Sequence, residues 1–280
     1  MSLHVEMVNI LARKERQECI RNHWSVVLFV LFGGLSFTVT LAGSAVSGEL
    51  AGGTLISTIS SLTSLSVFII PLVAILISYD AFVGEREAGT LSLLLTYPIS
   101  QIDILLGKFV AHGGLLIIAI TLTYGGSGLL FWLLSEQADT ALVIRFYGQL
   151  IISSCLLALV FILLSYLVSV HAQQKGKVLG FLFMVWFAFV LVFDLLLLAL
   201  LVADFGLQAQ RFVSFMMLLN PADIYRAINM LGIDASFADK GALSQIQLTV
   251  PFLFGLLCLW LVLLLFALKH CVTSVAFKSS

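Results

Sequence analysis

Charge is what this chain has little of: 10% of its 280 residues are Asp, Glu, Lys or Arg, where a soluble domain carries roughly a quarter. That shortage excludes a soluble α/β domain, which could not coat a water-facing surface with so few charges. The apolar/polar alternation of barrel strands is also missing, which excludes a transmembrane β-barrel. No G-x-x-x-x-G-K-[ST] loop is present: Gly107-Lys108 has Ile102 where the first glycine belongs, and Gly176-Lys177 has His171. The chain therefore cannot bind ATP in the P-loop manner. Nor do soft or imidazole side chains cluster at ligand spacing. Met216, Met217 and Met230 fall in or near one loop, Cys155, Cys258 and Met184 are scattered in apolar runs, and His4, His23, His112, His171 and His270 lie near the other face. A soft metal ion crossing about 30 Å of hydrocarbon would need successive ligands. No such ladder is present, so no metal site is expected.

What remains is apolar. Hydrophobic residues make up 61% of the chain and the mean hydropathy is +1.13. Six long runs lie at about 24–46, 64–83, 109–134, 146–170, 179–203 and 250–270, each near the roughly 20 residues that cross a bilayer as a helix. A backbone facing lipid must satisfy its own hydrogen bonds, so all six are expected to be helical. The fold class is an all-α membrane protein, with residues 1–280 forming one transmembrane domain. Pro71 and the glycines of the third run permit kinks or close helix approach.

Orientation follows from Lys and Arg. Arg13, Lys14, Arg16, Arg21, Arg86, Lys108, Lys175, Lys177, Lys269 and Lys278 share one side, against Arg145, Arg211, Arg226 and Lys240 on the other. The excess places both termini in the cytoplasm. Ala42-Gly43-Ser44-Ala45 loosely mimics a signal-peptide cleavage site, but the run before it is too long, so an uncleaved anchor is expected. Over about 5–23, Val8, Leu11, Ala12, Glu15, Cys19 and Ile20 recur at helical spacing. An amphipathic elbow on the inner membrane face follows; the alternative is a charged, topology-setting tail. Cys19 and Cys271 lie on the cytoplasmic side and no thiol lies in the outer loops, so no disulfide is expected there.

The segment after the second run concentrates charge. Gly84 suits a helix end, Glu85 and Glu87 suit the positive end of a new helix, and Leu91, Leu94 and Leu95 form an apolar ridge before Tyr97-Pro98. The spacing predicts a short cytoplasmic helix over about 84–97. Its acids disfavour an anionic lipid surface, and its ridge suits a partner's groove. Resting on lipid headgroups is the other reading.

Gly84-Glu85-Arg86-Glu87-Ala88-Gly89-Thr90-Leu91, with Ala12-Arg13-Lys14-Glu15 upstream, resembles the membrane subunits of exporter-type ABC transporters. The resemblance narrows through Tyr79-Asp80-Ala81, Leu105-Leu106-Gly107-Lys108-Phe109, Val192-Phe193-Asp194-Leu195 and Leu219-Asn220-Pro221-Ala222-Asp223-Ile224-Tyr225-Arg226. It is to the permeases that help mature the copper-sulfur centre of nitrous oxide reductase. The resemblance implies a non-catalytic inner-membrane subunit that pairs with a second copy of itself. It also implies a NosF-like ATPase dimer that carries ATP and Mg, a NosD-like periplasmic partner, and contact with a copper chaperone or the reductase through the complex. No cofactor in this chain and no nucleic acid are implied. The coupling helix would comprise Gly84, Glu85, Arg86, Glu87, Gly89, Thr90, Leu91, Leu94 and Leu95.

The outer loop over 204–249 is the second interaction candidate. Asn220, Pro221 and Asp223 read as helix cap, first position and acidic first turn, with Gly232 as the stop, so a helix over 221–231 should follow an apolar one over about 207–219. Phe212, Phe215, Met216 and Met217 are too apolar for a solvated loop. Together with Asn220, Pro221, Asp223, Tyr225 and Arg226 they make a candidate surface for the periplasmic partner; packing over the bundle is the alternative. Two acids fall in the spans: Asp80 near the inner end of the second, and Asp194 near the middle of the fifth, where about 2.5–3.5 kcal/mol must be offset by an inward-facing partner. Three functions stay open: an ABC permease passing ATPase motion to a periplasmic partner, an exporter of a small molecule or lipid, and an ATP-independent carrier or scaffold.

Overall fold

The computed structural model describes residues 5–21, 23–46, 55–90, 100–135, 138–202, 215–233 and 249–274. In chain order the helices are α1 (Val5–Arg21), α2 (His23–Val46), α3 (Leu55–Ser78), α4 (Val83–Glu87), α5 (Gln101–Leu134), α6 (Thr140–His171) and α7 (Lys175–Phe187). A π turn over Ala188–Val192 runs directly into α8 (Phe193–Val202), and α9 (Pro221–Ile233) and α10 (Val250–Ser274) complete the chain. No strand occurs among the described residues.

Five of these segments are long and apolar enough to cross a membrane: Leu55–Glu87, Gln101–Leu134, Thr140–His171, Lys175–Leu200 and Val250–Val272. The run expected first, 24–46, coincides with α2, whose described apolar stretch, Phe29–Ala42, is shorter than the others. The end of the bundle that carries α1 is called the near end here, and the opposite end the far end.

Capping rather than hydropathy sets where α5 and α6 begin. Ser100 Oγ accepts from Asp103 N at 3.1 Å and Asp103 Oδ2 accepts from Ser100 N at 3.1 Å, a reciprocal box that satisfies two orphan donors. It starts α5 at Gln101, eight residues before the apolar run at 109. At 1.5 Å per residue the 34 residues of α5 reach about 50 Å, well beyond a 30 Å hydrocarbon layer. Asp139 Oδ1 accepts from Ala141 N at 2.9 Å to start α6.

α6 is the hub, packed by α3, α5, α9 and α10, with Leu150, Leu157, Phe161 and Tyr166 fully buried. Glycine allows α5 to approach its neighbours closely. A Cβ on Gly113 would lie 2.8 Å from Leu159 Cδ2 of α6, and one on Gly107 2.8 Å from Leu11 Cβ of α1. α7, α8 and α10 turn most of their apolar surface outward, as at Met184 and Phe266.

Candidate functional site

Three segments meet on one lysine at the near end. Lys108, in the second turn of α5, donates to Glu15 Oε1 of α1 at 2.6 Å and to Glu85 Oε1 of α4 at 2.8 Å. Its side chain is 4% exposed and lies 5.9 Å from the centre of the Phe82 ring. Ion pairs this dry bind strongly only while every partner is present, because each charge left alone keeps its full desolvation cost.

The rest of the acidic-and-basic segment also turns back onto the bundle. Ser169 Oγ of α6 accepts from Phe82 N at 3.2 Å and Val83 N at 3.1 Å. Arg86 Nη1 donates to Val170 O at 3.1 Å and Ala172 O at 2.6 Å, supplying donors that the C-terminus of α6 lacks. Glu87 Oε1 accepts from Lys175 N at 2.8 Å, so an acid sits at the positive N-terminus of α7. Lys175 Nζ lies 3.7 Å from Asp80 Oδ2, and its chain passes over Gly84, where an added Cβ would come within 3.1 Å of Cε.

Of the helix expected over 84–97, residues 84–90 lie among the described residues. α4 covers Val83–Glu87, and Gly89 at φ 69° turns the chain where a side chain would be strained. Gly84 does not end a helix; it makes room for Lys175. Gly89 and Thr90 are exposed, with Thr90 Oγ1 donating to Glu85 O at 3.2 Å. Leu91, Leu94 and Leu95 lie outside the described residues.

A polar cleft of about 400 Å³ opens beside this joint, lined by Lys14, Glu18, Cys19, Tyr79, Asp80 and Lys175 among others. Burial first and the charge of Glu15 second push the Cys19 thiol up to about 12. It stays protonated at neutral pH and is poor as a nucleophile or soft ligand.

At the far end α9 enters the bundle rather than lying over it. Asn220 Oδ1 accepts from Ala222 N at 2.9 Å, and Pro221 occupies the first helical position, as the sequence indicates. Ile224, Tyr225 and Ile228 are fully buried. Tyr225 Oη meets Ser154 Oγ at 3.2 Å, and Asn229 Nδ2 donates to Ser153 Oγ at 3.0 Å. Asn220 Nδ2 donates to Phe189 O inside the π turn at 2.7 Å. Arg226 binds Asp194 with two parallel bonds at 2.7 and 2.8 Å. This is the inward-facing partner that Asp194 requires.

That arrangement corrects the candidate partner surface. Asn220, Pro221, Asp223 and Tyr225 are buried within the bundle, where Asn220 bonds Asp223 and Tyr225 bonds Ser154, so they are not surface residues. Arg226 is only partly buried but is engaged by Asp194. Phe215 is exposed, Met216 and Met217 are half-buried, and Phe212 lies outside the described residues. Sequence reasoning missed Lys108 as the shared partner of Glu15 and Glu85. The available signal was a lysine two turns after an S-x-x-D cap, too deep in its helix to stay hydrated.

Comparison with known proteins places these two ends in context. Residues 9–279 match the model of the family described as "ABC-2 family transporter protein". The chain is 43% identical over 250 residues to the "Probable ABC transporter permease protein NosY" of Stutzerimonas stutzeri, covering 89% of this chain and 91% of that protein. It is 40% identical over 257 residues to the protein of the same description from Pseudomonas aeruginosa, covering 92% of each. A helical membrane bundle with this breadth of similarity is a transporter permease, and the chain belongs to the ABC-2 transporter family.

Proposed function

We propose that this chain is the membrane subunit of an ABC transporter that passes the work of a separate cytoplasmic ATPase to a periplasmic partner, in assembly of the copper-sulfur centre of nitrous oxide reductase. The observation that carries the coupling part is the Lys108 joint, where α1, α4 and α5 are fixed to one another by buried charge. A push on the exposed tip at Gly89 and Thr90 then moves α1 and α5 together rather than bending a loop. The two relatives described as NosY support the biological assignment.

In this reading the near end faces the cytoplasm of a bacterial inner membrane, with both termini inside. A NosF-like ATPase dimer carrying ATP and Mg docks on the tip and on 91–97, a second copy of the chain completes the core, and a NosD-like protein meets the far end. Because Glu85, Arg86 and Glu87 are engaged within the bundle, they position the docking surface rather than form it. Phe215, Met216 and Met217 remain available to the far-end partner.

The test is to express the chain with its candidate ATPase and periplasmic proteins, purify through a tag on this chain and weigh the detergent complex. A core of paired permeases with both partners is expected. A stable, partner-free chain would overturn the reading in favour of an ATP-independent carrier or scaffold. A complex that lacks the periplasmic protein yet hydrolyses ATP would instead favour export of a small molecule or lipid.

A further inference from the structure

At the far end two carboxyl groups compete for one guanidinium. Arg226 holds Asp194 through both terminal nitrogens and reaches Asp223 Oδ1 at 3.2 Å through Nη1. The two carboxyl groups therefore converge on the same nitrogen, Arg226 Nη1, at 2.7 and 3.2 Å. One guanidinium balances one carboxylate, so two acids crowded on it favour a proton on the more buried of them. Asp223 is the member placed to hold it, with a side chain 1% exposed against 30% for Asp194.

The same residue sits on a mechanical connection. Asn220 Nδ2 donates both to Asp223 Oδ2 at 2.8 Å and to Phe189 O of the π turn at 2.7 Å. The position of the Asp223 carboxyl therefore bears on how α9 grips the chain between α7 and α8, and π turns of this kind recur at functional positions.

We propose that Asp194, Asp223 and Arg226 form a clamp that holds α9 against the π turn while the buried Asp223 carboxyl is neutral, and lets α9 go when Asp223 ionises.

Little else on the packed elements competes for that proton. Among the described residues, α3 and the π turn carry no ionisable side chain. α6 brings Arg145, exposed and 5.9 Å from the Phe146 ring centre, together with Tyr147 and Cys155, and has Tyr166 and His171 towards its near end. α10 brings Cys258, which is exposed, and carries Lys269, His270 and Cys271 at its near end. α9 itself adds Tyr225, occupied by Ser154.

Burial first and the charge of Asp194 second push the Asp223 carboxyl up from 3.8 to about 7. A value raised on closing means that the closed clamp binds its proton more tightly than an open, hydrated one. Closure is most favoured below about pH 4, weakens by up to tenfold per pH unit between about 4 and 7, and stays at its weakest above that.

Hydrogen–deuterium exchange over 221–233 tests this on the full chain in lipid nanodiscs, from about pH 5 to 8.5, after correction for the intrinsic exchange rate. Exchange of the wild type is expected to rise several-fold per pH unit up to about 7 and then level off. Asp223→Asn keeps a neutral group beside a one-to-one Arg226–Asp194 pair and should give a flat profile. Asp194→Asn gives Arg226 to Asp223 alone and leaves only burial opposing its charge, so it should flatten the rise and bring the plateau to lower pH; it guards against misfolding of the first variant. A flat wild-type profile, or a variant that keeps the wild-type slope, overturns the proposal. The measurement needs no ATPase, so it stands or falls independently of the coupling reading.

Discussion

Replacing Lys108 by Met removes the ammonium while keeping an unbranched chain of similar length. Glu15 and Glu85, both largely buried at 9% and 15% exposed, would then face each other without a counter-charge. Breaking a buried ion pair by deleting one partner costs about 3–5 kcal/mol. At about 2–4 °C per kcal/mol for a chain of this size, the unfolding midpoint in detergent should fall by roughly 10 °C. Glu85→Gln should cost much less, about 1–2 kcal/mol, because it leaves Lys108 in a balanced pair with Glu15. The triple variant Glu15→Gln, Glu85→Gln and Lys108→Met removes all the charge and should recover most of the loss. A Lys108→Met midpoint within about 2 °C of wild type would refute the buried joint. A triple variant as unstable as the single one would mean that packing around Lys108, rather than its charge, holds the three segments.

Three further outcomes follow from the near end. Gly107→Ala places a methyl 2.8 Å from Leu11 Cβ, at the root of a side chain that cannot swing aside; it should push α1 off α5 and cost about 1–3 kcal/mol in a thermal melt. Arg86→Ala leaves Val170 O and Ala172 O without their charged donor, so hydrogen exchange around 172–176 should accelerate roughly 10- to 100-fold while residues 221–233 are unaffected. In a variant retaining only Cys19, a thiol pushed up to about 12 from 9.0 carries on the order of a thousandfold less thiolate at pH 8. Its alkylation rate should climb about tenfold per pH unit from pH 8 to 10 without a plateau, and a plateau near pH 9 would refute that environment.

Five of the six expected spans were legible because hydropathy over some 20 residues is a cumulative signal that no single contact can reverse. Their ends were not, because caps decide them: Ser100 and Asp103 start α5 within a polar stretch that hydropathy leaves outside the membrane. The start of α9 was readable for the same reason, since Asn220-Pro221 is itself a cap. Its burial was not. Asp223 and Arg226 look like surface residues along the chain; in the fold Asp223 is buried and Arg226 is engaged by Asp194, more than two dozen positions earlier. Likewise Glu85, Arg86 and Glu87 resemble a docking stripe in one dimension. In three dimensions they serve Lys108, the end of α6 and the start of α7.

The π turn at Ala188–Val192 acts as a phase shifter in the apolar segment Lys175–Leu200. Such a turn accommodates one residue more than an α-helix would over the same height, and each helical residue advances the azimuth by about 100°. Everything from Phe193 to Val202 is thus rotated relative to α7, and that rotation aims Asp194 at Arg226 rather than at lipid. Deleting one residue between 188 and 192 would leave composition and hydropathy almost untouched. It would nonetheless swing the carboxylate about a quarter turn away from its guanidinium, so the length of this segment, and not only its sequence, is under constraint.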